Sequence, residues 1–183
     1  MGVSSSICPR RTSVEQQASV QSVVAYYDAE TSPVRGKVTF ERTASGILVR
    51  AQLTGLGPGL HGLHIHTLGD PSLHCSALGG HFNPAGHLHG SPDDDESHVG
   101  DLGNLVADDT GRAMLADNDG NAISERLCTK LAFEGAHNII GRGLVVHELP
   151  DDLGRGGTDT SSTTGSAGAR IACAPLAISS QRP

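Results

Sequence analysis

Apolar and polar residues alternate with a period of two in two neighbouring stretches of the chain. In 37–42, Val38 and Phe40 stand between Lys37, Thr39 and Glu41. In 47–54, Ile47, Val49, Ala51 and Leu53 stand between Leu48, Arg50, Gln52 and Thr54. Successive side chains of a strand point to opposite faces, so the pattern predicts half-buried antiparallel strands. Gly46 and Gly55 flank the second stretch where turns belong. Further strand patterns lie at 102–107, 112–116, 131–134, 138–147 and 171–178. Short strands with turn signals between them read as an all-β Greek-key sandwich or barrel. Two stretches, 67–100 and 148–170, are rich in Gly, Pro, Ser, Asp and Thr and are long for simple connections, so functional loops are expected there. Residues 1–21 are Ser-rich and polar without sustained period, which reads as a disordered N-terminal extension before one domain at 22–183.

Composition adds exclusions. The 183 residues suit one well-packed domain. With 24 glycines, 3% aromatic residues and no tryptophan, the core must rest on Val, Ile and Leu. A net charge of -7 argues against a nucleic-acid partner, because phosphate binding needs a basic footprint. No apolar run approaches the roughly 20 residues of a membrane-spanning helix, and no apolar secretory segment opens the chain, so a cytoplasmic location is expected. Residues 1–6, MGVSSS, fit the N-myristoylation pattern at Gly2, with Cys8, Arg10 and Arg11 close behind. One myristoyl chain binds a membrane only marginally. Membrane tethering is therefore the alternative location, conditional on acylation of Gly2.

Histidine changes the picture most. There are ten, most of them between positions 61 and 98. His64 and His66 are two apart and would share one strand face; with Leu63 and Ile65 turned inward, both imidazoles lie on the outer wall. Such a pair suits copper, though solvated histidines on an exposed strand fit it equally well. His81, His89, His98 and Asp101 offer three nitrogens and one carboxylate oxygen, a closed tetrahedral set for zinc that would pin a polar loop. His147 ends the run Leu144-Val145-Val146 and could complete a copper set drawn from three segments.

The segments GLHIHTLGD (62–70), GGHFNPAGHLHG (79–90), HVGDLGN (98–104), IIGRGLVVHELPDDLGRGG (139–157) and TGSAGARIAC (164–173) resemble the copper–zinc superoxide dismutase family. The resemblance spans residues 22–180 and implies an eight-stranded, immunoglobulin-like Greek-key β-barrel with two long functional loops. It implies copper on His64, His66, His81 and His147 and zinc on His81, His89, His98 and Asp101, with His81 bridging the two metals and acting in catalysis. Asp151 matches the aspartate that links one copper histidine to one zinc histidine, and Arg170 matches the arginine beside the copper channel. Both are expected to serve disproportionation of superoxide to dioxygen and hydrogen peroxide in antioxidant defence. Sequence alone leaves three complete pairings of the four cysteines open; the resemblance selects Cys75–Cys173 and leaves Cys8 and Cys128 as free thiols. It further implies a homodimer through Leu68, Gly69, Ile140, Gly141 and Ile178, and copper delivery by a chaperone. His61, His74, His87 and His137 have no ligand role in the family pattern.

Three features depart from that pattern. Residues 117–130 make a longer connection than is typical, read as an extended hairpin or a short surface helix. Leu149, Asp159, Thr160 and Thr163 stand where relatives often carry lysine and paired acids that steer the substrate. Asp93, Asp94, Asp95 and Glu96 form an acidic run inside the first long loop. Weaker long-range attraction of an anion is expected. A dismutase-like domain of a copper chaperone commonly lacks part of the copper set, and storage proteins repeat His or Cys motifs; neither feature is present.

Overall fold

The structure, a computed structural model, describes residues 19–28 and 32–180. Gly2, Cys8 and most of the 1–21 extension lie outside the described residues. The strands are β1 Ser22–Tyr27, β2 Arg35–Arg42, β3 Ile47–Thr54, β4 Gly59–His66, β5 Asp101–Ala107 and β6 Ala113–Ala116, followed by β7 Ala122–Ile123, β8 Arg126–Cys128, β9 Gly143–His147, β10 Arg170–Pro175 and β11 Ala177–Ile178. One short helix, α1 Asp159–Thr164, lies in the second long loop.

Strand pairing is antiparallel and runs β10-β9-β4-β5-β6-β3-β2-β1-β11. β10 and β11 are consecutive in the chain, yet β10 pairs with β9 and β11 with β1. Between them Leu176 leaves the ladder, exchanging hydrogen bonds with Arg142 and Gly141 instead. The last strand segment thus joins both edges and nearly closes the sheet. Closure removes the exposed edges that invite unwanted pairing. Eight strands make the wall, with β7, β8 and β11 as short additions.

The period-two pattern is realised in β3, where Ile47, Val49, Ala51 and Leu53 are no more than 2% exposed. They meet Phe40, Leu63, Ile65, Leu105, Leu115, Leu144 and Val146 in one core. Each fully buried side chain of this size contributes about 1.5–3 kcal/mol.

Two strand expectations are corrected. Residues 131–134 form no strand, and the expected 138–147 strand begins only at Gly143. Leu131, Phe133 and Ile139 are buried, so their spacing reports anchoring in the core rather than ladder pairing. Between them the chain turns at Gly135, whose φ of 71° favours glycine. The 117–130 connection is the hairpin alternative: β7 pairs with β6, and β8 returns along β3.

Candidate metal centre

β4 carries His64 and His66 on the outside of the barrel, and β9 ends at His147 beside them. They are not solvated: His64 is 0% and His66 1% exposed, which removes the exposed-strand alternative. The first long loop covers them. Its inner anchors are Phe82 and Val99, both buried, and its backbone is tied to β4 where Phe82 N–H donates to Ile65 O and Ile65 N–H to Gly100 O, each at 2.8 Å. This lays His81 against His66 as an antiparallel neighbour. Asp101 sits opposite His64 on β5.

His81 is the hub of the cluster. Its ring centroid lies 4.1 Å from that of His64, 5.0 Å from His66, 5.4 Å from His89, 5.5 Å from His98 and 6.1 Å from His147. Two sets of potential ligand atoms, each mutually within 4.8 Å, share it: His66, His81 and His147, and His64, His81, His89 and Asp101. Proximity alone puts His64 in the second set and omits His98. The directions of the ring nitrogens divide the residues differently.

On one side, Asp101 Oδ1 is 3.0 Å from His81 Nδ1, 3.0 Å from His89 Nδ1 and 3.1 Å from His98 Nδ1. Three Nδ1 atoms around one carboxylate oxygen are close to a tetrahedral zinc shell, whose ligand–ligand edges are about 3.3 Å for bonds of about 2.0 Å. Asp101 Oδ2 is held by the N–H groups of Gly90 and His98, both at 3.1 Å. This second set of bonds fixes which oxygen faces the histidines.

On the other side, each imidazole has one nitrogen engaged and one free. His66 Nδ1 donates to Gly79 O at 2.9 Å, His147 Nδ1 to Gly168 O at 3.2 Å, and His64 Nε2 to Asp151 Oδ2 at 2.8 Å. The buried atoms His64 Nδ1, His66 Nε2, His81 Nε2 and His147 Nε2 have no hydrogen-bond partner. Leaving a buried polar atom unpaired costs about 1–3 kcal/mol. The ligand atoms of His66, His81 and His147 lie within 4.8 Å of one another and so offer a shared cation their lone pairs, with His64 Nδ1 on the adjoining ring. A nitrogen-rich set of this kind suits copper.

Asp151 joins the two sides. Its Oδ1 accepts from His89 Nε2 at 2.8 Å while Oδ2 accepts from His64. Such a contact fixes the tautomer and orientation of both rings. Asn104, a residue the sequence reading passed over, locks Asp151 in turn: it donates to Asp151 O at 2.9 Å and accepts from Asp151 N–H at 2.8 Å. Gly165 lies directly over the Asp151–His89 contact, where a Cβ would collide with both. His61, expected to have no ligand role, supports the centre differently: its ring nitrogens lie 3.0 Å from His147 O and 2.9 Å from Gly57 O. In the sequence His61 shares the parity of Leu63 and Ile65, on the core side of β4, so the period of two gives it no place among the ligands. His74, His87 and His137 stay outside both sets of ligand atoms.

Electrostatics separate the histidines. Burial, then neighbouring imidazoles, lower His81 to a pKa of about 4 and His147 to about 3. His89 is also opposed by burial, but Asp101 and Asp151 outweigh it and raise its pKa to about 9. Burial would raise Asp151; its bonds to His64 and His89 win and hold it at about 2. Arg170 stands opposite His147 across β9 and β10. Its guanidinium donates to Cys75 O at 2.7 Å and Gly79 O at 2.5 Å. Cys75 is bonded to Cys173, as the resemblance implied, and Cys128 is a buried free thiol.

The family described as copper/zinc superoxide dismutase (SODC) matches residues 34–176. The chain is 44% identical over 146 residues to the Cu-Zn superoxide dismutase 2 of Mesembryanthemum crystallinum, covering 79% of this chain and 88% of that one. It is also similar to the structure titled "Crystal Structure Analysis of the clock protein EA4", with a TM-score of 0.79 and 37% identity over 88% of this chain and 96% of that one. Fold, donor atoms and sequence therefore agree that the chain belongs to the copper/zinc superoxide dismutase family.

Proposed function

We propose that His64, His66, His81 and His147 hold copper, that His81, His89, His98 and Asp101 hold zinc, and that the protein disproportionates superoxide in antioxidant defence. The observation that carries the reading is the convergence of buried, unpartnered imidazole nitrogens on both sides of His81. When bound, copper supplies one-electron chemistry that turns one superoxide into dioxygen and a second, with two protons, into hydrogen peroxide, while zinc supplies fixed positive charge. The chain's own residues prepare that chemistry. His81 Nε2 is the atom positioned to take up and return a proton, because its Nδ1 is held by Asp101. Asp151 keeps His64 and His89 in their working tautomers. Arg170 keeps its charge at working pH and offers it to an anion arriving beside His66 and His147.

The test is metal analysis with a dismutase assay, repeated on His147→Ala. Two metals per chain and loss of activity in the variant are expected; full activity in the variant would overturn the copper assignment.

The same reading takes 22–183 as one domain and the protein as a cytoplasmic homodimer supplied by a copper-delivery chaperone. Exposure of Leu68 at 53% and Ile178 at 59% supports the dimer, and sedimentation tests it. Acylation of Gly2 would replace the cytoplasmic reading with a tethered one, and intact mass after co-expression with an N-myristoyltransferase decides between them.

A further inference from the structure

The longer connection at 117–130 reaches the loop that carries His89 and His98. β8 fastens its returning arm to the barrel, with Arg126 opposite Val49 and Cys128 opposite Ile47. From this base, Arg126 Nη1 donates to both carboxylate oxygens of Asp93 at 3.1 Å. Asn118 Nδ2 donates to Asp93 Oδ2 at 2.7 Å, and Ser91 Oγ donates to Asn118 Oδ1 at 3.2 Å. Lys130 Nζ donates to Asp94 O at 2.8 Å and to Ser97 Oγ. The Arg126 side chain is only 9% exposed, and its Nη2 is held by Ala116 O at 2.9 Å. Its orientation is therefore set before it meets Asp93.

The receiving segment is wired to the zinc side of the centre. Ser97 is buried, directly precedes His98, and donates to Ser91 O at 2.8 Å and Asp94 O at 3.1 Å. Gly90, between His89 and Ser91, donates its N–H to Asp101 Oδ2. Residues 90–98 thus form a small ring of contacts with Asp101 on its inner rim and the hairpin on its outer rim. The acidic run gains an explanation here. Four successive carboxylates repel one another; Arg126 offsets Asp93, and Lys130 caps the backbone beside Asp94.

We propose that the 117–130 hairpin is a latch on the metal-bearing loop, with Arg126 as its positioning residue acting on His89 and His98 through Asp93. This rests on the zinc assignment above. In the metal-loaded protein, Arg126→Gln and Asp93→Asn should each speed zinc release to a chelator about two- to fivefold, the scale of losing an ion pair whose carboxylate is 59% exposed. Copper release should change far less. The double variant should be no worse than Arg126→Gln alone, because both substitutions remove the Arg126–Asp93 contact and only Arg126→Gln also removes the bond to Ala116 O. Asp95→Asn, the same charge change at an exposed neighbour, should behave as wild type. Amide exchange should quicken at 90–98 and stay unchanged in β2 and β3. Wild-type rates of zinc release and exchange in the Arg126 variant would overturn the latch, as would faster exchange across the whole barrel. A wild-type protein that binds no zinc would sink the metal assignment instead, and exchange at 90–98 would still decide the latch.

Discussion

His64 and His89 lie on opposite sides of the centre and are tied through one carboxylate, each Nε2 standing 2.8 Å from an oxygen of Asp151. Asp151→Asn keeps the size but supplies one acceptor and one donor in place of two acceptors. One ring must then lose its tautomer. Zinc affinity is expected to fall roughly 10–100-fold, the usual effect of losing such a support. Competition with a zinc chelator checks it, and unchanged affinity would show that the loop backbone alone orients His89.

Zinc uptake by the metal-free protein should release protons at neutral pH. His89 is charged there, with its pKa raised to about 9, whereas His81 and His147, lowered to about 4 and about 3, are not. About one proton per zinc is expected from His89. Calorimetry in buffers of different ionisation enthalpy counts it, and zero protons would refute the charged state.

The same shifts shape the stability of the metal-free fold. The raised His89 contributes stability that is fully present below the ordinary value of 6.5 and is lost as pH rises through about 9. His81 and His147 act on the other side. Below 6.5 the unfolded chain takes up protons that these buried rings refuse, so stability falls with pH. Thermal unfolding of the metal-free protein should therefore peak near neutrality. A melting temperature climbing steadily from pH 6 to 9 would contradict this.

Arg170 and His66 share the Gly79 carbonyl, and Arg170 also holds the carbonyl of disulfide-bonded Cys75. Arg170→Ala should lower kcat/KM for superoxide about tenfold or more, the scale of one charge-assisted contact, without loss of metal. Stopped-flow decay of superoxide measures the rate. Cys173→Ser should cost about 4–5 kcal/mol, because the bond spans a sequence separation of 98. It should also free the Cys75 carbonyl and depress the same rate constant. A stability loss with no change in rate would show that Arg170 does not depend on the bond.

Substrate attraction should be weak at long range. The helix α1 holds Asp159, Thr160 and Thr163 and no cation, and Leu149 is half-exposed beside Gly168. With so little positive field to screen, the rate constant should fall only slightly as salt shortens the Debye length from about 10 Å. A steep fall would reveal steering by other basic groups.

Local rules were enough for much of this protein. The period of two in 37–42 and 47–54 marks β2 and β3, because a strand facing a core must alternate. The spacing of His64, His66, His81, His89, His98, Asp101 and His147 marks the donor atoms, because metal chemistry selects residue types independently of fold. The tertiary structure decided what depends on distant segments meeting. It made Leu131, Phe133 and Ile139 anchors rather than strand residues, buried His64 and His66 beneath a loop, and gave His61 and Asn104 their supporting places. It also turned the Asp93 and Asp94 run from a surface feature into the landing point of the 117–130 hairpin. Ligand identity is written in side-chain chemistry along the chain; which nitrogen faces the metal is set by carbonyls and carboxylates that reach it only after folding.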